Sequence, residues 1–183
     1  ARWRGHLDKI LPARQRLSRG HHAAMPYDEA PAFLEQLRAR EAVAAMALEF
    51  TILTAARTGE VLGATWAEID FEKRTWTVPA LRMKAGREHR VPLSSRAVEV
   101  LNETKKLGSD YLFPGQRGGK LSGMAMAMLL QRMGHVVTVH GFRSSFRDWA
   151  AEMTAFPHEV CEMALAHTIA NKAEAAYRRG DIF

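Results

Sequence analysis

Val139-His140-Gly141-Phe142-Arg143-Ser144-Ser145-Phe146-Arg147-Asp148-Trp149 is the stretch that decides how this chain is read. Phe142, Phe146 and Trp149 are spaced four and three apart, the period of one helix face, which assigns them to core packing rather than base stacking. His140 and Arg143 stand three apart at the start of that helix, so their side chains can share a face. Gly141 permits close approach of another backbone or a ligand, and exposed amides at a helix N-terminus favour phosphate. Arg147 and Asp148 have a plain explanation as local ion pairs. Taken singly, His140 and Arg143 are explained as well by structure as by chemistry.

Working outward, Asp28 is placed to cap a helix that runs to about Arg40. A second helix puts Val43, Met46, Ala47, Phe50 and Leu53 on one face and is apolar almost all round, which makes it central to the core. Gly59 is expected to interrupt it just past Arg57, with a short helix resuming through Leu62. Thr75-Trp76-Thr77-Val78 then alternates, and Arg90-Val91-Pro92-Leu93 is a second extended run. The polar stretch from Leu81 to His89 reads as a hairpin whose tip carries Lys84 and Arg87. Ser94 or Ser95 caps a helix ending at Gly108, a loop runs from Tyr111 to Gly119, and Ser122 caps a Met- and Leu-rich helix to about Gly134. Helices are predicted over about 141–152, 157–165 and 171–179, the second with Pro157 at its start. The fold class is mainly α with a small antiparallel β-sheet (α+β).

With 183 residues, 47% hydrophobic and 25% charged, the chain suits one globular domain that buries a core without staples. Its single cysteine, Cys161, excludes an intramolecular disulfide and suits a reducing cytoplasm. No apolar run reaches the roughly 18 residues that a membrane helix needs. The net charge of +6 is unevenly placed: residues 1–25 hold six Lys and Arg against one acid, and the remainder holds 20 basic against 19 acidic residues. A basic arm suits a polyanion, because Lys and Arg gain by displacing counterions at phosphates; a solvated linker explains it equally. Residues 1–25 lack periodicity and are read as a basic linker remnant ahead of a domain over 26–183. The start, Ala-Arg-Trp-Arg, has no initiator Met, as expected of a piece of a longer protein. No metal site is assigned: His21-His22 falls in the linker, and Cys161 has no partner cysteine. No Gly-x-x-x-x-Gly-Lys phosphate loop is present, so ATP use is not expected.

Two further clusters carry candidates. Arg57, in Ala55-Ala56-Arg57-Thr58-Gly59-Glu60, ends an apolar helix and needs an anionic partner or solvent, for which Glu60 is the ordinary answer. Leu165-Ala166-His167 precedes Tyr177-Arg178-Arg179, with His167 ten residues before Tyr177. Alone, His167 is explained as a satisfied loop histidine and Tyr177 as a packed phenol with its hydroxyl paired.

The order of these pieces is more specific than any one of them. Ala-Arg57-Thr-Gly-Glu, Lys84 on its hairpin, His140-Gly-Phe-Arg143, Leu-Ala-His167 and Tyr177 resemble the tyrosine recombinases in order and rough spacing. Val139 to Trp149 and the ending Tyr177-Arg178-Arg179-Gly180-Asp181 resemble especially the integrases of prophages and genomic islands. The resemblance covers roughly residues 26–183. It implies the tyrosine recombinase catalytic-domain fold and site-specific DNA integration by strand cleavage and rejoining through a 3′-phosphotyrosine intermediate. It implies Arg57, Lys84, His140, Arg143, His167 and Tyr177 as catalytic residues, and Arg57, Lys84, Arg87 and Arg143 as DNA contacts.

In the implied chemistry Tyr177 is the nucleophile, and Arg57 and Arg143 hold the non-bridging oxygens. Lys84 protonates the departing 5′ oxygen. His140 accepts the tyrosine proton or holds the phosphate, and His167 hydrogen-bonds a non-bridging oxygen; these two roles are interchangeable at this level. The partners implied are double-stranded DNA attachment sites, with no cofactor, metal, nucleotide or membrane, in a bacterial cytoplasm beside the nucleoid. The family's N-terminal core-binding domain and C-terminal tail fall outside this chain. A homotetramer on DNA is therefore expected of the full-length protein and a monomer of this piece. Type IB topoisomerase-like relaxation and a catalytically silent DNA-binding module are the alternatives; an all-helical interaction domain leaves the ordered residues without a reason.

Overall fold

The computed structural model describes residues 22–167; Tyr177 and the helix expected over 171–179 lie outside the described residues. Helix α1 (Ala30–Arg38) begins after a turn in which the Glu29 amide donates to the Pro26 carbonyl at 3.1 Å and the Ala30 amide to Tyr27 at 3.3 Å. Those carbonyls, together with Pro31, which has no amide hydrogen, leave no work for the Asp28 cap expected from sequence, and no side-chain cap is formed.

Helix α2 (Val43–Thr54) is the hub. Ala45, Ala47, Leu48 and Phe50 are all buried, and α2 packs against α1, α4 (Ser95–Lys105) and α5 (Ala125–Arg132). Even Glu49 is buried, held by Arg38 of α1 at 2.6 Å and by Arg96 of α4 at 2.8 and 3.0 Å. The helix stops earlier than Gly59 would make it. Ala55 turns left-handed, with φ at 49°, and Gly59 instead lies inside the short helix α3 (Thr58–Leu62). The Ala55 carbonyl freed by this turn accepts a hydrogen bond from Arg143, so a tertiary partner rather than a glycine sets the helix end.

The sheet has three antiparallel strands in the order β1 (Ile69–Asp70), β2 (Thr75–Val78), β3 (His89–Pro92), with Ile69 opposite Trp76 and Thr75 opposite Pro92. Two of the three were expected; β1, at two residues, is too short to show alternation. Trp76 and Val78 face the core, where Phe50 meets both Trp76 and Phe113 at ring separations of 5.4 Å. Ser94 caps α4 by accepting the Ala97 amide at 3.2 Å, and Gly108, with φ at 64°, follows that helix. Ser122 accepts the Met124 amide at 3.3 Å just ahead of α5.

Helices α6 (Gly141–Met153) and α7 (His158–Ala164) pack together, and Arg143 of α6 reaches the end of α2. Of the three aromatics on α6, Phe142 is buried against Phe33, Phe146 is half-buried, and Trp149 is 43% exposed, outside the core expected for it. Residues 22–25 form a strap across the start of α6. Met25 is 3% exposed, the Thr138 amide donates to the Ala23 carbonyl at 2.9 Å, and the Ser145 hydroxyl donates to the Met25 carbonyl. Gly141 makes this approach possible, because a Cβ there would meet the Ala23 carbonyl. Among the described residues, no helix is long and apolar enough to cross a membrane.

Candidate active site

Two helices end in left-handed alanines, Ala55 after α2 and Ala166 after α7, both with φ at 49°. Each such residue costs roughly 1 kcal/mol. Two arginines bind the carbonyls that these ends expose. Arg143, on the first turn of α6 and 5% exposed, donates to the Ala55 carbonyl and, at 2.6 Å, to the Leu165 carbonyl. Arg57, which leads into α3, donates to Leu165 at 3.4 Å and Ala166 at 3.2 Å. Helix C-terminal carbonyls carry partial negative charge, so these are favourable places for guanidiniums. Arg57 also donates to both Glu60 carboxylate oxygens, by its amide at 2.9 Å and its guanidinium at 2.8 Å. The ordinary partner expected for Arg57 is therefore present, yet the side chain remains 24% exposed.

Burial, and after it the neighbouring charge of Arg57, lowers the Arg143 pKa to about 10, which leaves it cationic at neutral pH. Its Nε is buried without a hydrogen-bond partner. A buried, crowded cation with a spare donor gains when an anion arrives.

His167 lies between Arg143 and Glu162: its Nε2 is 3.2 Å from Arg143 Nη2 and its Nδ1 is 2.7 Å from Glu162 Oε2. A guanidinium nitrogen only donates, so Nε2 accepts and Nδ1 carries the proton. For Glu162, burial works upward on the pKa, but the His167 hydrogen bond and the charges of Arg147 and His158 outweigh it and hold the carboxyl below its ordinary value. Arg147 reaches Glu162 across the helix pair at 3.1 Å instead of pairing with Asp148.

His140, at the mouth of α6, has its ring edge-on to His22 with centroids 4.6 Å apart. Burial first, then His22, Arg143, Arg57 and His167, push its pKa below the ordinary histidine value, so the neutral, proton-accepting form prevails at pH 7. Lys84 and Arg87 are exposed on the turn between β2 and β3, and Lys84 makes no hydrogen bond or ion pair among the described residues.

Arg57, Lys84, His140 and His167 line one open cleft of about 550 Å³ together with Ala85, Glu162 and Ala166. Arg143 is not on its surface; it lies beneath, in contact through His167. A cleft of similar size, about 540 Å³, lies over Glu49, but the carboxylate there is already paired with Arg38 and Arg96. The family model for phage integrases matches residues 24–181, which include every element around the first cleft. The chain belongs to the phage integrase family.

This integrase chain is 40% identical to prophage integrase IntZ of Escherichia coli K12 over 167 residues, covering 88% of this chain and 41% of that protein. It is 32% identical to the integrase of Enterobacteria phage P4 over 179 residues, covering 86% and 41%. The chain thus spans about two fifths of the length of these relatives. Among solved structures, the lambda integrase catalytic core matches with a TM-score of 0.61 at 17% identity, over 80% of this chain and 96% of that one. A lambda integrase tetramer bound to a Holliday junction matches with a TM-score of 0.65 at 18% identity, over 87% and 51%. At such identities the likeness is one of fold.

Sequence reasoning left three neighbours of the integrase cleft unassigned. His89 opens β3, is half-buried near Glu60, Arg57 and Arg143, and has its pKa pushed down chiefly by burial. Glu162 is five residues before His167 on the same helix end, a spacing with no general signature. His22 was placed in the linker and treated as solvated; it is exposed, but its ring meets His140.

Proposed function

We propose that this integrase chain is a catalytic domain for site-specific DNA recombination that cuts and rejoins duplex DNA through a 3′-phosphotyrosine at Tyr177. The observation that carries the proposal is the single cleft uniting Arg57, Lys84, His140 and His167 above the buried Arg143. The Tyr177 oxygen forms a bond to phosphorus while the bond from phosphorus to the 5′ oxygen breaks, and rejoining is the reverse. His140, held neutral, takes the phenol proton. Lys84 gives a proton to the departing oxygen. Arg57 meets a non-bridging oxygen, and Arg143 supplies positive potential from below. His167 faces a non-bridging oxygen from the wall of the cleft, its ring held at Nδ1 by Glu162.

Arg87, on the same turn as Lys84, adds a backbone contact to DNA. The partners are duplex attachment sites, with a homotetramer on DNA for the full-length protein and a monomer for this chain alone, acting in a bacterial cytoplasm. The reaction uses neither metal nor nucleotide.

A nicked suicide duplex, incubated with the protein in chelator and without ATP, tests this. A covalent protein–DNA adduct that disappears in Tyr177→Phe supports it; binding without an adduct identifies a silent DNA-binding module. Relaxation of plasmid lacking an attachment site points to a topoisomerase instead.

A further inference from the structure

We propose that Arg82 is a positioning residue for Lys84, tying the loop that bears this ammonium to the helix that Arg57 leads into. The inference rests on the reading of Lys84 as the acid for the departing 5′ oxygen. Arg82 ends the turn Ala80–Arg82, two residues before Lys84. Its Nη1 donates to the Glu60 carbonyl at 2.9 Å and its Nη2 to Glu68 Oε2 at 2.5 Å; that same oxygen accepts from Trp76 Nε1 at 2.9 Å. Glu60 is the residue whose carboxylate holds Arg57. One residue of α3 is thus gripped by Arg57 through its carboxylate and by Arg82 through its carbonyl.

Gly63 supplies an independent observation. Its φ of −96° is open to any residue, so the backbone does not ask for glycine. A Cβ there would lie 2.5 Å from Arg82 Nη1 and 3.6 Å from its Cζ, so the missing side chain makes room for the guanidinium. Lys84 has no hydrogen bond or ion pair of its own among the described residues, and Gly86 bonds only back within the turn, its amide to the Met83 carbonyl at 3.0 Å. Its placement falls to Arg82 and to Met83, which is buried. Proton donation needs heavy atoms within about 3 Å, and a lysine on a loosened loop spends less time there.

The test measures single-turnover strand cleavage by the full chain on two duplexes. One is ordinary; the other carries sulfur in place of the scissile 5′ bridging oxygen, so the leaving group departs as a thiolate and needs no proton. Lys84→Ala is expected to lose roughly 10²-fold or more on ordinary DNA and to recover on the sulfur substrate. Arg82→Ala and Gly63→Ala are expected to lose about tenfold on ordinary DNA and to recover likewise, whereas Arg57→Ala loses on both. Gly63→Ala keeps the guanidinium and only displaces it, so it decides the matter if Arg82→Ala lowers the Tm. Equal losses on both substrates, or no loss on ordinary DNA, while Lys84→Ala recovers, make Arg82 a structural ion pair and overturn the inference. Failure of Lys84→Ala itself to recover removes the acid role of Lys84, and the inference with it.

Discussion

Replacing Gly141 by alanine perturbs the strap at the mouth of the cleft through a single methyl group. That methyl would meet the Ala23 carbonyl and come within 2.9 Å of both the Ala23 carbonyl carbon and the Ala24 Cα, all backbone atoms that no rotamer change can move. The strap must lift. Lifting it breaks the hydrogen bond from the Thr138 amide to Ala23 and the bond from Ser145 to Met25, each worth about 1 kcal/mol. It also uncovers part of Met25, about 1 kcal/mol more, because complete burial of a Met side chain contributes roughly 1.5–3 kcal/mol. The expected loss is about 2–3 kcal/mol, or a Tm lower by roughly 5–10 °C in a domain of this size. Urea unfolding with a fitted m-value measures it. Gly59→Ala is the matched control: nothing lies within 4 Å of a Cβ there, the position is helical, and the change should stabilise by about 0.5–1 kcal/mol. A Gly141→Ala protein within about 0.5 kcal/mol of the native one refutes the close-packed strap.

Other outcomes follow from the same contacts. Glu60→Ala leaves Arg57 unaligned and should slow cleavage by roughly 10²-fold with a smaller change in DNA binding, read from single-turnover rates and titration. Glu49 is desolvated, but its hydrogen bonds from Arg96 and Arg38 hold its pKa below the ordinary 4.5. The unfolded chain therefore takes up that proton first. Stability attributable to Glu49 is complete above about 4.5 and drains away as pH falls further; Glu49→Gln should flatten this acid limb in unfolding free energies measured against pH. For His140 the sign of the shift is likewise downward: NMR should find it titrating below 6.5, and His22→Ala should move the midpoint up.

Much of the fold was readable because its elements are long enough to show a period. The apolar all-round pattern of α2 marked the hub, and Thr75–Val78 showed its strand by alternation. What stayed hidden depends on tertiary partners. The early end of α2 at Ala55 is set by Arg143, which lies 88 residues further along the chain. The Trp149 spacing matched a core stripe, but among the described residues its side chain stays largely exposed. At the site, residue types in order pointed to Arg57, Lys84, His140, Arg143 and His167. Only the fold separates the four that line the cleft from Arg143 beneath it. Glu162 lines the cleft, and His22 and His89 lie beside its residues, through packing that no spacing announces.

The most direct measurement compares cleavage of an ordinary duplex with one whose scissile phosphate carries a methyl group in place of a charged non-bridging oxygen. If Arg57 and Arg143 act on the phosphate charge, Arg57→Ala and Arg143→Ala should fall far behind the native protein on ordinary DNA and close most of that gap on the neutral substrate, while Lys84→Ala keeps its deficit. Equal deficits for the arginine variants on both substrates contradict convergence of these side chains on one phosphate.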